Sequence, residues 1–141
     1  MKKLIAALFA AVLVAAGLMV ATASSASANC TPTQYSGCVR TVTKVTTPGV
    51  VPKGQKAKVC ANVNAKGSNA TPVGRVVFKV KRNAGGFFFK TKKDLNRNAR
   101  ACVKTPKLNR VGGYTVIGKY KSPRGSIFIN SRNGGGFDVV R

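Results

Sequence analysis

The 141-residue chain contains no His and no Glu, and its only acids are Asp94 and Asp138. Groups that titrate near neutrality are missing, and with them the ordinary means of general acid–base catalysis. A Ser-His-Asp constellation has no members to build it. Asp94 follows Lys92-Lys93 and reads as a turn residue; Asp138 alternates with Phe137 and Val139 and reads as solvent-facing. No nucleophile motif surrounds any serine. The four cysteines show no Cys-x-x-Cys spacing, and no His could complete a zinc set. Gly134-Gly135-Gly136 is not followed by Lys-Ser/Thr or a helix, so it reads as a flexible connection, not a phosphate cradle. The expectation is a non-enzymatic protein with no catalytic residue, metal site or cofactor.

What is present is positive charge. Twenty-five Lys and Arg give a formal net charge of +23. Ordinary solvated surfaces mix both signs, so this imbalance points to a negatively charged partner. The N-terminus reads as a secretory signal over residues 1–28. Lys2 and Lys3 lead an apolar stretch from Leu4 to Val20, and Ala26-Ser27-Ala28 supplies a small-residue cleavage pattern. The apolar run is short and has no charged stop-transfer flank, which disfavours a membrane span. Asn29 before Cys30 disfavours lipidation. Past Ala28 the chain shows no hydrophobic tail or wall-sorting motif, so the expectation is a secreted, extracellular or envelope-associated protein. In an oxidising compartment Cys30, Cys38, Cys60 and Cys102 suggest two disulfides, with three pairings open.

From residue 39 the chain alternates, with turn residues at intervals typical of an all-β domain. Val39–Thr46 reads as a first strand, broken by Pro48-Gly49 and Pro52-Lys53-Gly54. Lys56–Val63 alternates with Ala57, Val59, Ala61 and Val63 on one side. Arg75–Lys81 places Val76, Phe78 and Val80 inward. Phe87–Lys90 reads as a short strand, Ala99–Lys104 as the next, and Tyr114–Lys121 follows Gly112-Gly113. Ile127–Ile129 is expected as a further short strand and Phe137–Val140 as the last. No helical periodicity occurs past the signal. About seven short strands predict a two-sheet antiparallel sandwich over 39–141, with 29–38 as an N-terminal disulfide loop.

Three motifs carry a resemblance. Thr71-Pro72-Val73-Gly74-Arg75-Val76-Val77-Phe78 resembles the "TPTGTVTF" strand of bacterial immunoglobulin-like domains. Gly113-Tyr114-Thr115-Val116-Ile117-Gly118-Lys119-Tyr120 resembles their "GxYTVTAxY" strand, and Pro48 through Val63 resembles their entry segment. The chain departs at Ser122-Pro123-Arg124-Gly125, where members often carry Gly-Asp. It also departs in holding cysteines and a single copy. The resemblance implies an immunoglobulin-like sandwich with Tyr114 and Tyr120 in the core. In that order the strands of Cys60 and Cys102 would be neighbours, B and E. The two cysteines would then form a cross-strand bridge on an outer face, leaving Cys30–Cys38 to close the N-terminal loop.

The remaining candidates for function are surface groups. Arg75, Lys79, Lys81, Lys119 and Lys121 are expected on one sheet's outer face, and Lys56, Lys58, Arg100 and Lys104 on the other's. Lys90, Lys92, Lys93, Arg97 and Arg110 read as a loop cluster joining them. Alternation sets Phe88 opposite in direction to Phe87 and Phe89, which makes it the candidate aromatic contact. These residues suit a polyanion: wall polymer, acidic polysaccharide, extracellular DNA or anionic lipid. No motif for specific nucleic-acid recognition is present. The competing expectations are a structural or adhesive module, a carbohydrate-binding accessory domain and a membrane-active cationic protein.

Overall fold

The computed structural model describes Cys30 and residues 37–141. The signal expected over residues 1–28 and most of the 29–38 loop lie outside the described residues. Eight strands form: β1 (Thr41–Thr46), β2 (Val50–Pro52), β3 (Lys58–Ala65), β4 (Arg75–Arg82), β5 (Phe88–Asp94), β6 (Arg100–Lys104), β7 (Gly112–Lys121) and β8 (Arg132–Val140). They make two sheets, β1-β3-β6 and β2-β8-β7-β4-β5. This is the all-β, immunoglobulin-like sandwich expected.

The inner faces interlock by size. The three-stranded sheet offers mostly small side chains: Val59, Ala61 and Val63 from β3 and Ala101 from β6. The five-stranded sheet answers with larger ones: Phe78 from β4, Tyr114 and Tyr120 from β7, and Phe137 from β8. Large side chains on one sheet thus face small ones on the other, the complementarity that close packing requires. The Tyr114 ring stacks on Phe137 at 5.3 Å and takes the edge of Phe87 at 5.5 Å. Both buried phenols are satisfied: Tyr114 Oη donates to the Arg110 carbonyl at 2.8 Å, and Tyr120 Oη to that of Val73 at 2.6 Å. The first bond, four residues upstream at the entry to β7, is the tyrosine corner of this fold class.

Four sequence expectations need correction. Residues 48–54 do not simply break the first strand. After Thr47-Pro48-Gly49 the chain changes sheet, and Val50–Pro52 pairs in parallel with β8. Pro52 is tolerated because it ends an edge strand, where no N–H is required. Gly134–Gly136 is not a flexible connection but the middle of β8, paired with Thr115–Ile117. A Cβ on Gly135 would stand 3.6 Å from Val45 Cγ1, and one on Gly118 only 2.8 Å from Val45 Cγ2. The glycines form a notch that lets Val45 of β1 press onto β7 and β8. Ile127–Ile129 is no strand; Phe128 makes one isolated bridge to Val39. β5 runs on to Asp94, because partners on β4 continue to Arg75. Asp94 is thus a strand end and not a turn residue. The turn after it is built by Asn96, whose Oδ1 accepts from the backbone of Asn98 and Arg100, with Ala99 held at φ 50°.

Edges carry charge. Lys90, Lys92 and Lys93 line β5, Arg100 and Lys104 line β6, and Lys44 sits on β1. Such residues discourage edge-to-edge pairing with another copy. Both disulfides form as the strand order implies, Cys30–Cys38 and Cys60–Cys102. Cys60 and Cys102 lie directly opposite on β3 and β6. Their face is the outer one, yet Cys60 is only 6% exposed.

Replacing both Cys60 and Cys102 by Ala should lower unfolding stability by roughly 4 kcal/mol, since that bridge closes the longer loop; removing Cys30–Cys38 should cost about 2–3 kcal/mol. Denaturant midpoints of the two double variants measure this, and equal losses would contradict it. Burial pushes the Tyr120 phenol up from 10.0 to about 12, because desolvation penalises the phenolate. The folded state therefore holds that proton more tightly. Its contribution is complete below pH 10 and is lost as pH rises from 10 to about 12. Stability measured across this window should fall more steeply for the native protein than for Tyr120→Phe.

Candidate anion-binding face

Alternation along β4, β5, β7 and β8 sends every second residue to the solvent side of the five-stranded sheet. Register then arranges these residues in rows. One row is Asp94, Arg75 and Lys121; the next is Lys92, Val77, Lys119 and Arg132. A third is Lys90, Lys79, Ile117 and Gly134, and a fourth Phe88, Lys81, Thr115 and Gly136. Strands stand about 4.8 Å apart and outward residues repeat every ~6.7 Å along each strand. Neighbouring positions therefore fall within one Debye length at physiological salt, about 8 Å. The eight cations of these rows act on a ligand, and on one another, together.

Three rungs of the lattice set like charges directly across from each other: Lys79 and Lys90, Arg75 and Lys121, Lys119 and Arg132. A fourth, Lys58 and Lys104, lies on the other sheet beside the Cys60–Cys102 bridge. Directly opposed like charges destabilise a sheet. The two acids sit at corners of the face. Asp94 is opposite Arg75, and Asp138 is opposite Gly113. Two shallow depressions of about 350 and 340 Å³ share Lys79 and Ile117; Val77, Lys119 and Arg132 border the first, Lys81, Phe88 and Thr115 the second.

Of the residues singled out in the sequence, Arg75, Lys79, Lys81, Lys90, Lys92, Lys119, Lys121 and Phe88 come together on this face. Lys93 does not. It pairs with the inward Val76 and therefore points to the opposite side of β5. The supposed loop cluster dissolves as well. Lys90 and Lys92 belong to β5, Arg97 lines a depression beside the 66–72 loop, and Arg110 lies against Gly86 at the other end of β5. Arg132 was missed because the glycines after it read as a loop; once they are a strand, its outward position opposite Lys119 follows. Lys and Arg side chains offer only hydrogen-bond donors, so this face can attract and hold anions. Among the described residues no group of three or more His, Cys, Asp or Glu could hold a metal ion, and no helix is long and apolar enough to cross a membrane.

No protein-family model and no curated protein sequence matches the chain. Its fold is similar to parts of two bacterial alpha-2-macroglobulin structures. One is the Salmonella protein reacted with methylamine, with TM-score 0.58, 10% identity, and coverage of 71% of this chain and 9% of that one. The other is the E. coli protein in its native conformation, with TM-score 0.57, 10% identity, and coverage of 72% and 10%. The chain thus spans about a tenth of those molecules' length. The likeness is to immunoglobulin-like sandwich domains and concerns fold alone.

Placing Glu at position 79 would turn the Lys79–Lys90 rung into an opposite-charge pair. Lys79→Glu should raise stability by up to about 1 kcal/mol at low salt, and added NaCl should narrow the gap by raising the native protein's thermal midpoint. Identical midpoints at low salt would show that the rungs do not repel.

Proposed function

We propose that this chain is an exported, non-enzymatic module of the bacterial immunoglobulin-like type that holds anionic polymers or an anionic envelope surface. The outer face of β5, β4, β7 and β8 is its contact surface. The observation that carries this reading is the set of like-charge rungs on that face. Each one opposes folding, and a bound polyanion would neutralise them together while releasing its counterions. The fold thus holds charge that a bound polyanion would relieve. Both disulfides fit an oxidising compartment, which supports export after cleavage near Ala28. Wall polymer, acidic polysaccharide and extracellular DNA share the required chemistry, a dense line of negative charge.

The test is binding of the oxidised, exported protein to each polymer as salt rises from about 50 to about 200 mM. A contact using six or more of the cations should weaken by roughly a thousandfold over that range. Replacing Lys79, Lys90, Lys119 and Arg132 by Gln should abolish most of the binding. The same change at Lys44, Lys58 and Lys104, on the other sheet, should leave most of it. Salt-insensitive binding, or equal loss from both sets, would overturn the assignment to this face.

A further inference from the structure

A ligand that is only charged has no use for the apolar side chains in the lattice. Phe88 is 64% exposed on the edge strand, directly across from Lys81 and one outward step from Lys90. Its neighbours Phe87 and Phe89 pack against the core. Ile117 is 42% exposed and stands between Lys79 and Gly134 in its row. Val77 stands between Lys92 and Lys119. Gly134 and Gly136 face outward on β8 without side chains, so nothing beside Ile117 rises above it there. Cations stand between and beside these apolar groups, and the paired strands spread both over a sheet surface in two dimensions.

A two-dimensional array of cations interspersed with exposed apolar groups complements a layer of anions lying over hydrocarbon. Basic residues at an anionic leaflet gain from its surface potential, and amphipathic surfaces add burial of Phe and aliphatic groups at the headgroup boundary. A linear polyanion satisfies the first term and leaves the second unused. We propose that this face seats on an anionic lipid membrane, with Lys79, Lys81, Lys90 and Lys119 at lipid phosphates and Phe88 and Ile117 dipping into the interface. This rests on the reading that the outer face is the electrostatic contact surface, and it names what that surface meets.

The chain contains no Trp, so Phe88→Trp introduces a single fluorescent reporter at the proposed point of insertion. Three probes suffice: vesicles of mixed phosphatidylglycerol and phosphatidylcholine, vesicles of phosphatidylcholine alone, and soluble linear polyphosphate. With the mixed vesicles, emission from the introduced indole should shift to the blue, and Phe88→Ser should weaken sedimentation with vesicles by about tenfold, the scale of partly burying a Phe side chain. Polyphosphate should bind Phe88→Ser and the native protein alike, and phosphatidylcholine alone should bind neither. Thermal midpoints confirm that the variants fold. Vesicle binding with no blue shift and no effect of Phe88→Ser would overturn membrane seating while leaving electrostatic binding intact. Equal weakening toward polyphosphate and vesicles would also overturn it, making Phe88 a polymer contact. Failure of vesicles and polyphosphate alike at low salt would instead overturn the electrostatic reading on which the proposal rests.

Discussion

Repulsion among cations held a strand spacing apart is the constraint that the rest of this molecule answers. With a net charge of +23 and two acids, the surface contributes little to holding the sheets together. Cohesion has to come from inside and from covalent links. Tyr114, Tyr120, Phe78 and Phe137 on one sheet pack against Ala and Val on the other. Both buried phenols reach a carbonyl, so no buried side-chain polar atom among the described residues lacks a partner. The Cys60–Cys102 bridge ties β3 to β6 directly beside the Lys58–Lys104 rung, where the three-stranded sheet is pushed apart.

Much of the fold was legible in the sequence because period-two alternation is a local signal. Val76, Phe78 and Val80, or Ala57, Val59 and Ala61, declare their faces without knowledge of any partner. Once strand order was supplied by resemblance, the pairing of Cys60 with Cys102 followed. What the sequence hid depends on partners distant in the chain. Gly134–Gly136 has no strand propensity of its own; β7 on one edge and Val45 above make it a strand. Val50–Pro52 looks like turn material until β8 is there to pair with it. β5 reads as short because Thr91–Asp94 carries little hydrophobic pattern, and its length is set by β4.

The same distinction governs the candidate face. Which residues of β4 and β7 point outward was readable strand by strand, and alternation alone set Phe88 outward. Which residues are neighbours was not readable, because register decides it. Register turns a list of lysines into rows, brings Arg132 beside Lys119, and removes Lys93 to the other side. It also places Val77 and Ile117 among the cations. The likeness to macroglobulin domains fixes the sandwich and says nothing of this face, since residues that point outward are free to vary within one fold.

The parallel pairing of β2 with β8 has a mechanical side. One strand lies near the N-terminal end of the described domain and the other at its C-terminal end. Tension applied along the chain draws them past each other lengthwise. The Lys53 N–H to Val140 carbonyl and Asp138 N–H to Gly49 carbonyl bonds, with the paired residues between them, then share the load at once instead of parting one after another. A module gripping a surface through β4, β5 and β7 would have β2 and β8, toward the two ends of its described domain, joined by bonds loaded together under a pull.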